Sequence, residues 1–451
     1  MFRRGLLALL IVYLPNALHF PLETGIPGLN PSNVLFLIAV LVITLAGRDH
    51  AYPKSSQAVL ASAFVGWFFA LSIGFAIALL MMPMDFMADF TYWKNALFYP
   101  FFYFVFRNCR EDIKGTRQLI ILVLVVAVIA GLEAVREGLD YGITSYAETR
   151  RASGPFGVDY RNANRAGVFY AMFLPMFVAL ALFLKKQRLW RIAAIISCGI
   201  LAMAIMVTFS RQSYLIGILG LCVLLLRRNI LTALLTSAVM FSSLSLLPDS
   251  VTQRVEETEQ STAAGGEELD ASTASRFEIW GGAAQMWVEH PLGVGINRFK
   301  QHIGDYSNYA GYDAHNFYVL TVAELGPLGL FALLWVFWGL WRLAAKFRHQ
   351  AAISRSPEAI ALSLGFSVTV IAMALSNVYG SPFLEGAVMG NIWILCGLLE
   401  RYSALTATNS GMHFPGKSNL AGRVGKRFPL SAQALPGRYR RDETERSHTN
   451  S

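Results

Sequence analysis

Charge is scarce in this chain. Asp, Glu, Lys and Arg make up 15% of its 451 residues, where soluble domains carry about a quarter. That scarcity excludes an ordinary soluble enzyme. Cysteine is scarcer still. Cys109, Cys198, Cys222 and Cys396 all lie in or beside apolar segments, and none falls in the longest polar loop. This excludes a disulfide framework and any zinc-binding spacing. The chain has no internal repeat. It has no nucleotide loop either, because Gly293-Val294-Gly295 follows no strand. The formal net charge is +9, yet no basic domain holds it. The excess sits in short turns and in the C-terminal stretch, a pattern of membrane topology rather than of nucleic-acid binding.

What is present is a string of apolar segments, 55% of the residues being hydrophobic. About twelve are long enough to span a bilayer, allowing for tilt. They are Gly5–Phe20, Ser32–Ala46, Gln57–Met82, Tyr92–Phe106, Gln118–Val135, Ala166–Leu184, Ile192–Phe209, Gln212–Leu226, Ile230–Leu247, Phe317–Trp341, Ala359–Leu375 and Phe383–Leu399. The first follows Arg3 and Arg4 and resembles a signal peptide, but no small-residue cleavage site comes after it, so it reads as a retained span. The expected fold is therefore an all-α polytopic membrane domain over 1–400, followed by a basic, disordered tail over 401–451. Threading the turns at Arg48/Lys54, Arg107/Arg110/Lys114, Lys185/Lys186/Arg188, Arg227/Arg228 and Arg342/Lys346/Arg348 on one side puts both termini in the cytoplasm. The acidic turn at Asp85 and Asp89 then falls outside.

Two outer loops are long. One runs from Arg136 to Arg165. The other, over 248–315 between the ninth and tenth spans, is the largest. Its first half, from Glu256 to Glu268, is acidic and rich in small residues, and is expected to be mobile. In its second half Phe277, Trp280, Ala284 and Trp287 recur at helical spacing, so 276–290 reads as an amphipathic helix lying on the membrane surface.

Arginine on the outer side runs against the expected charge distribution. Arg136, Arg150, Arg151, Arg161, Arg165, Arg211, Arg254, Arg276 and Arg298 all thread there. Arg211 interrupts an apolar stretch where a charge is costly; it is either a ligand contact or a snorkelling residue in a tight turn. Arg151 and Arg165, with Asn164 at the start of a span, suit a phosphate or anchor a loop to headgroups. Arg276 is a further phosphate contact, and His290 reads as a cap. His315-Asn316 precedes the tenth span. A neutral histidine there can take a proton from a hydroxyl, with Asn316 as orienter or N-cap. Glu324 lies deeper beside the helix breaker Gly326-Pro327, as an ion-pair partner or cavity-lining group. Glu385 raises the same question.

Taken together these elements resemble the O-antigen ligase and Wzy-type polymerase superfamily. The matching order is Arg151, Gly154, Phe156 and Asn164; then Thr208, Ser210 and Arg211; then Ser275, Arg276 and Trp280 leading to His290-Pro291, Gly293 and Gly295; then His315-Asn316, Glu324, Gly326 and Gly329. The resemblance implies transfer of a glycan from undecaprenyl diphosphate at the periplasmic face of the bacterial inner membrane, with no metal or other cofactor. It makes His315 the base and Arg211, with Arg151 or Arg165, the diphosphate clamp, supported by Arg276, Ser210, Asn164, Asn316 and Glu324. The expected partners are the lipid-linked donor, a glycan or lipid A–core acceptor and membrane lipid, with no nucleic acid. The ligase reading leads and a polymerase follows. A transporter of lipid-linked glycan is the rival from another class, although such proteins often show related halves.

Overall fold

The computed structural model describes residues 2–20, 30–47, 57–82, 84–142, 147, 149–157, 159, 162–231, 234, 259–261, 267–269 and 271–409. Within them the chain is helical: α1 Phe2–Tyr13, α2 Pro31–Leu45, α3 Ala61–Ala78, α4 Phe86–Arg107, α5 Ile113–Tyr141, α6 Ala163–Phe183, α7 Arg188–Val207 and α8 Arg211–Arg228. After these come α9 Ala271–Glu289, α10 Phe299–His302, α11 Phe317–Ser354, α12 Pro357–Ser376 and α13 Gly386–Asn409. Glu259–Ser261 and Glu267–Leu269 form a short antiparallel ribbon, with Glu259 opposite Leu269. The rest of the segment expected to be mobile lies outside the described residues.

Among the described residues six helices are long and apolar enough to cross a membrane: α3, α5, α6, α7, α11 and α12. The remaining expected segments also carry helices, except Ile230–Leu247, which falls almost wholly outside the described residues. Of these, α1 and α2 are short, α4 and α8 carry charges at their ends, and α13 carries Glu400 and Arg401 within it. The last helix runs past residue 400 to Asn409, and Arg401 inside it is fully buried.

Helix boundaries follow local chemistry. Asp85 caps α4 by accepting from the Ala88 N–H at 3.0 Å, and Asp112 caps α5 through the Gly115 N–H at 2.7 Å. Asn30 and Ser356 cap α2 and α12, each followed by a proline that needs no N–H partner. The core sits around α6, α12 and α13, where Phe169, Phe173, Phe366, Ile392, Trp393 and Leu395 are wholly buried. Small residues let backbones approach. A Cβ on Gly397 would lie 2.3 Å from the Tyr103 carbonyl of α4, and one on Gly365 would lie 2.8 Å from Met176 Cα of α6.

α11 is broken where the sequence breaks it. Gly326 takes φ 63°, ψ −163°, and Pro327 has no N–H to give the Ala323 carbonyl. The loop after α9 repairs both losses. Val294 N–H donates to the Ala323 carbonyl and Gly295 N–H to the Glu324 carbonyl, each at 2.9 Å. Irregular backbone inside a span is tolerated when protein satisfies it in this way. Gly293 must be glycine, since its φ is 88° and a Cβ would sit 2.4 Å from the Glu324 carbonyl oxygen.

α9 starts at Ala271, ahead of the expected residue 276. Its buried stripe is Ile279, Ala283 and Met286, while Phe277 and Trp287, two residues of the stripe named from the sequence, are exposed. The helix has two apolar faces. The sequence reading named the outward one, and the inward one holds the helix to the protein.

Candidate functional site

The helix termini gather at two ends of the bundle. One end gathers the N-termini of α4, α6, α8, α11 and α13, and every proposed site residue lies there or just inside it.

Arg151 is buried, 5% exposed. Its Nε donates to the Thr208 carbonyl at 2.9 Å and its Nη2 to Asn164 Oδ1 at 2.5 Å. One guanidinium thus joins the loop before α6, the first turn of α6 and the turn between α7 and α8. Glu137, near the end of α5, fixes that loop by accepting from the N–H groups of Ser153 and Gly154 at 2.8 and 2.7 Å. The sequence reading missed Glu137. A carboxylate four residues after Glu133 near the end of an apolar span was the available signal.

The turn Thr208-Phe209-Ser210 is tight. Phe209 has φ 47°, rare for a bulky residue, and Ser213 Oγ donates to Ser210 Oγ at 2.9 Å across the first turn of α8. Gly167 of α6 lets this turn come close, since a Cβ there would meet Ser213 Oγ at 2.5 Å and Thr208 Oγ1 at 2.7 Å. Ser210 is buried, and Arg211 is half-buried as the first residue of α8.

His315, like Phe209, is a left-handed residue two positions before a helix, with φ 48°. Asn316 behind it is the N-cap of α11, its Oδ1 accepting from the N–H of Tyr318 at 2.9 Å and of Val319 at 3.2 Å. Phe317 N–H is shared between the carbonyls of Asn377 and Gly380, at 2.8 and 3.0 Å. These bonds hold the histidine in a conformation that L-residues avoid. The imidazole is exposed, yet the surrounding protein displaces enough water to lower its pKa from 6.5. Arg276 and Lys300 push the same way, and Asp313 opposes them. Asp313 also accepts from the His315 N–H at 3.3 Å and pairs with Lys300 at 3.4 Å. Arg276 lies over the Tyr379 ring at 5.5 Å, and Trp280 Nε1 donates to the Ala314 carbonyl at 2.7 Å. The α9 helix is therefore tied directly to the histidine's loop.

The two clusters share a rim. Gln212 Nε2 donates to the Ser376 carbonyl at 2.6 Å. That bond connects the Arg211 turn to the 376–380 turn on which Phe317 is fastened. Arg165 is half-exposed and pairs with Glu385 at 2.8 Å, just before α13. Of the described loop arginines, Arg151 is the one bonded to Asn164; Arg161 lies outside the described residues.

Glu324 departs from expectation. Among the described residues it bonds no arginine. Its Oε2 accepts from Tyr92 OH at 3.1 Å and its Oε1 from Phe299 N–H at 3.2 Å, so it fastens α4 and the loop before α10 to α11. Beside it Arg298, wholly buried, pairs with Asp89 at 2.5 Å, and Asn297 Nδ2 donates to Asp89 Oδ1 at 3.1 Å. Arg298 threads with the outer arginines in the sequence, but in the fold it is a bolt between α4 and the loop.

Six long apolar helices and a polar rim at one end define a multi-pass membrane protein. Residues 196–334 match the Wzy_C family model, described as O-antigen ligase, a stretch shorter than half of the chain. The match supports the O-antigen ligase and Wzy-type superfamily. It takes in Ser210, Arg211, Arg276, His315, Asn316 and Glu324, and leaves Arg151, Asn164 and Arg165 outside it. No curated protein matches the chain.

Proposed function

We propose that this chain is a glycosyltransferase of the membrane, moving a glycan from undecaprenyl diphosphate to an acceptor hydroxyl at the rim just described, in the manner of an O-antigen ligase with lipid A–core as acceptor. The observation that carries the proposal is His315. It is strained and exposed, its pKa is lowered from 6.5, and it lies on the same rim as Arg276, Arg211 and Arg151. A neutral imidazole accepts the proton of the acceptor hydroxyl. The hydroxyl oxygen bonds to the anomeric carbon, the bond from that carbon to the diphosphate breaks, and its electron pair leaves on the diphosphate oxygen. Guanidinium groups meet that charge without a metal ion and stay charged in any local field. Converging helix N-termini favour the same anion. On this reading Arg211 and Arg151 clamp the diphosphate, Arg276 adds a contact beside the base, and Asn164, Ser210, Asn316 and Glu324 position them. The rim faces the periplasm and both termini face the cytoplasm.

The test uses purified protein in lipid with an undecaprenyl-diphosphate-linked glycan, EDTA and a set of acceptors. Product on lipid A–core is the expected result. Product only on a second lipid-linked glycan makes the chain a polymerase. Glycan moved across vesicles with no transfer to any acceptor makes it a transporter and overturns the proposal.

A further inference from the structure

At the end of the bundle opposite His315, α5, α6 and α7 part to leave an apolar cavity of about 190 Å³. The cause is in the sequence of α5. Gly131, Ala134 and Gly138 make a small-residue seam on its second half. There α7 comes close: Cβ atoms at Gly131 and Gly138 would lie 2.9 Å from Leu201 and 2.6 Å from Val207. The first half of α5 carries Ile120, Leu124 and Val128 instead, and these line the cavity with Phe177, Leu180 and Ala194.

The cavity runs beside α5 from Arg117 to Ile129. At a rise of about 1.5 Å per residue that is about 18 Å, close to half of a hydrocarbon core about 30 Å thick. It is the length of one leaflet. Its polar end is built as a bilayer interface is built. Arg117 pairs with Glu358 at 2.6 Å, and its Cζ lies 5.4 Å from the Trp190 ring centre. With Arg117 balanced by Glu358, the remaining charge comes from the adjoining turn, where Lys185, Lys186 and Arg188 are all exposed.

We propose that this groove seats one acyl chain of an anionic phospholipid, with the lipid phosphate on the Lys185–Arg188 turn. The leaflet is the one on that turn's side. The site lies at the far end of the bundle from the rim and does not depend on what the rim does.

The test is native mass spectrometry of the full chain, released from vesicles of equal phosphatidylglycerol and phosphatidylethanolamine. Wild type is expected to retain phosphatidylglycerol in preference. The triple variant Lys185→Gln, Lys186→Gln, Arg188→Gln is expected to lose that preference, by about five-fold for each charge removed. Ala193→Trp fills the groove from its exposed rim without touching the core, and is expected to retain less lipid of both kinds. Equal retention of the two lipids by wild type overturns the proposal. So does unchanged phosphatidylglycerol retention in both variants.

Discussion

The two ends of this bundle use charge differently. At the end away from His315, charged groups tie helices to one another and to the turn between α4 and α5. Glu111 clasps Arg3 at 2.9 Å and Arg4 at 2.6 Å. Glu400 holds Lys346 at 3.2 Å and Arg107 at 3.5 Å, and Arg401 reaches the Glu111 carbonyl at 2.6 Å. At the His315 end, polar groups tie loops to helix ends: Glu137 to the 153–154 backbone, Arg151 to the Thr208 carbonyl, Glu324 to the Phe299 N–H. The first arrangement fixes a frame. The second holds strained turns in place at the mouth of that frame, and it is there that chemistry is expected. The lesson is that an arginine's sequence position does not tell which of the two jobs it does. Arg298 is at the site end and yet works as a frame residue.

Breaking that distinction gives graded outcomes. Arg298→Ala leaves the Asp89 charge buried and unpaired, and is expected to cost about 3–5 kcal/mol, seen as a large fall in melting temperature in detergent. Asp89→Asn/Arg298→Met together are expected to recover much of it, which a purely catalytic role for Arg298 would not allow. Next comes Glu137→Gln, which removes a charged acceptor from two backbone N–H groups. A loss of about 1.5–3 kcal/mol per such bond is an upper guide. Protease cleavage near Arg151 is expected to rise while the frame melts nearly as before. The smallest stability effect belongs to Arg3→Gln at the other end. Its guanidinium is 31% exposed and Arg4 still holds Glu111, so about 1 kcal/mol or less is expected.

The pH profile sharpens the comparison without a change in stability. A base must be neutral, and the imidazole of His315 has its pKa lowered from 6.5 by the surrounding protein and by the cations of Arg276 and Lys300. Activity is therefore expected to hold as pH falls to 6.5 and to decline only below it. Asp313 pulls the other way, so Asp313→Asn is expected to move the acid limb to still lower pH. An acid limb above 6.5 would count against His315 as the base.

Much of the frame was legible in the sequence because helix boundaries are local chemistry. Gly326-Pro327 announced the break in α11, whereas Asp85, Asp112 and Ser356 are ordinary capping residue types that the sequence reading passed over. Eleven of the twelve apolar segments carry helices, and the twelfth falls almost wholly outside the described residues. Six of the helices meet a strict test of length and apolarity. The site was legible as a set of residue types but not as a set of partners. Arg151 finds Asn164 nearby in the chain, whereas Arg298 finds Asp89 across 209 positions, and no spacing rule reaches that far. Glu324 looked like an ion-pair partner because it is a carboxylate near arginines; the loop broken open by Pro291 and Gly293 took it first. On α9 the sequence showed the outward apolar face but not the packed one. Large aromatics drew attention to Phe277 and Trp287, while the smaller Ile279, Ala283 and Met286 make the packed face.

The central claim is that the rim histidine and Arg211 do chemistry while Arg298 and Glu137 at the same end do structure. It is tested most directly by following glycan transfer in lipid for wild type, His315→Ala and Arg211→Ala, with EDTA present and each variant's melting temperature recorded. His315→Ala is expected to lower the rate by about 10²–10⁴, and Arg211→Ala to lower it as well, with melting unchanged in both. Full activity in His315→Ala would contradict the account.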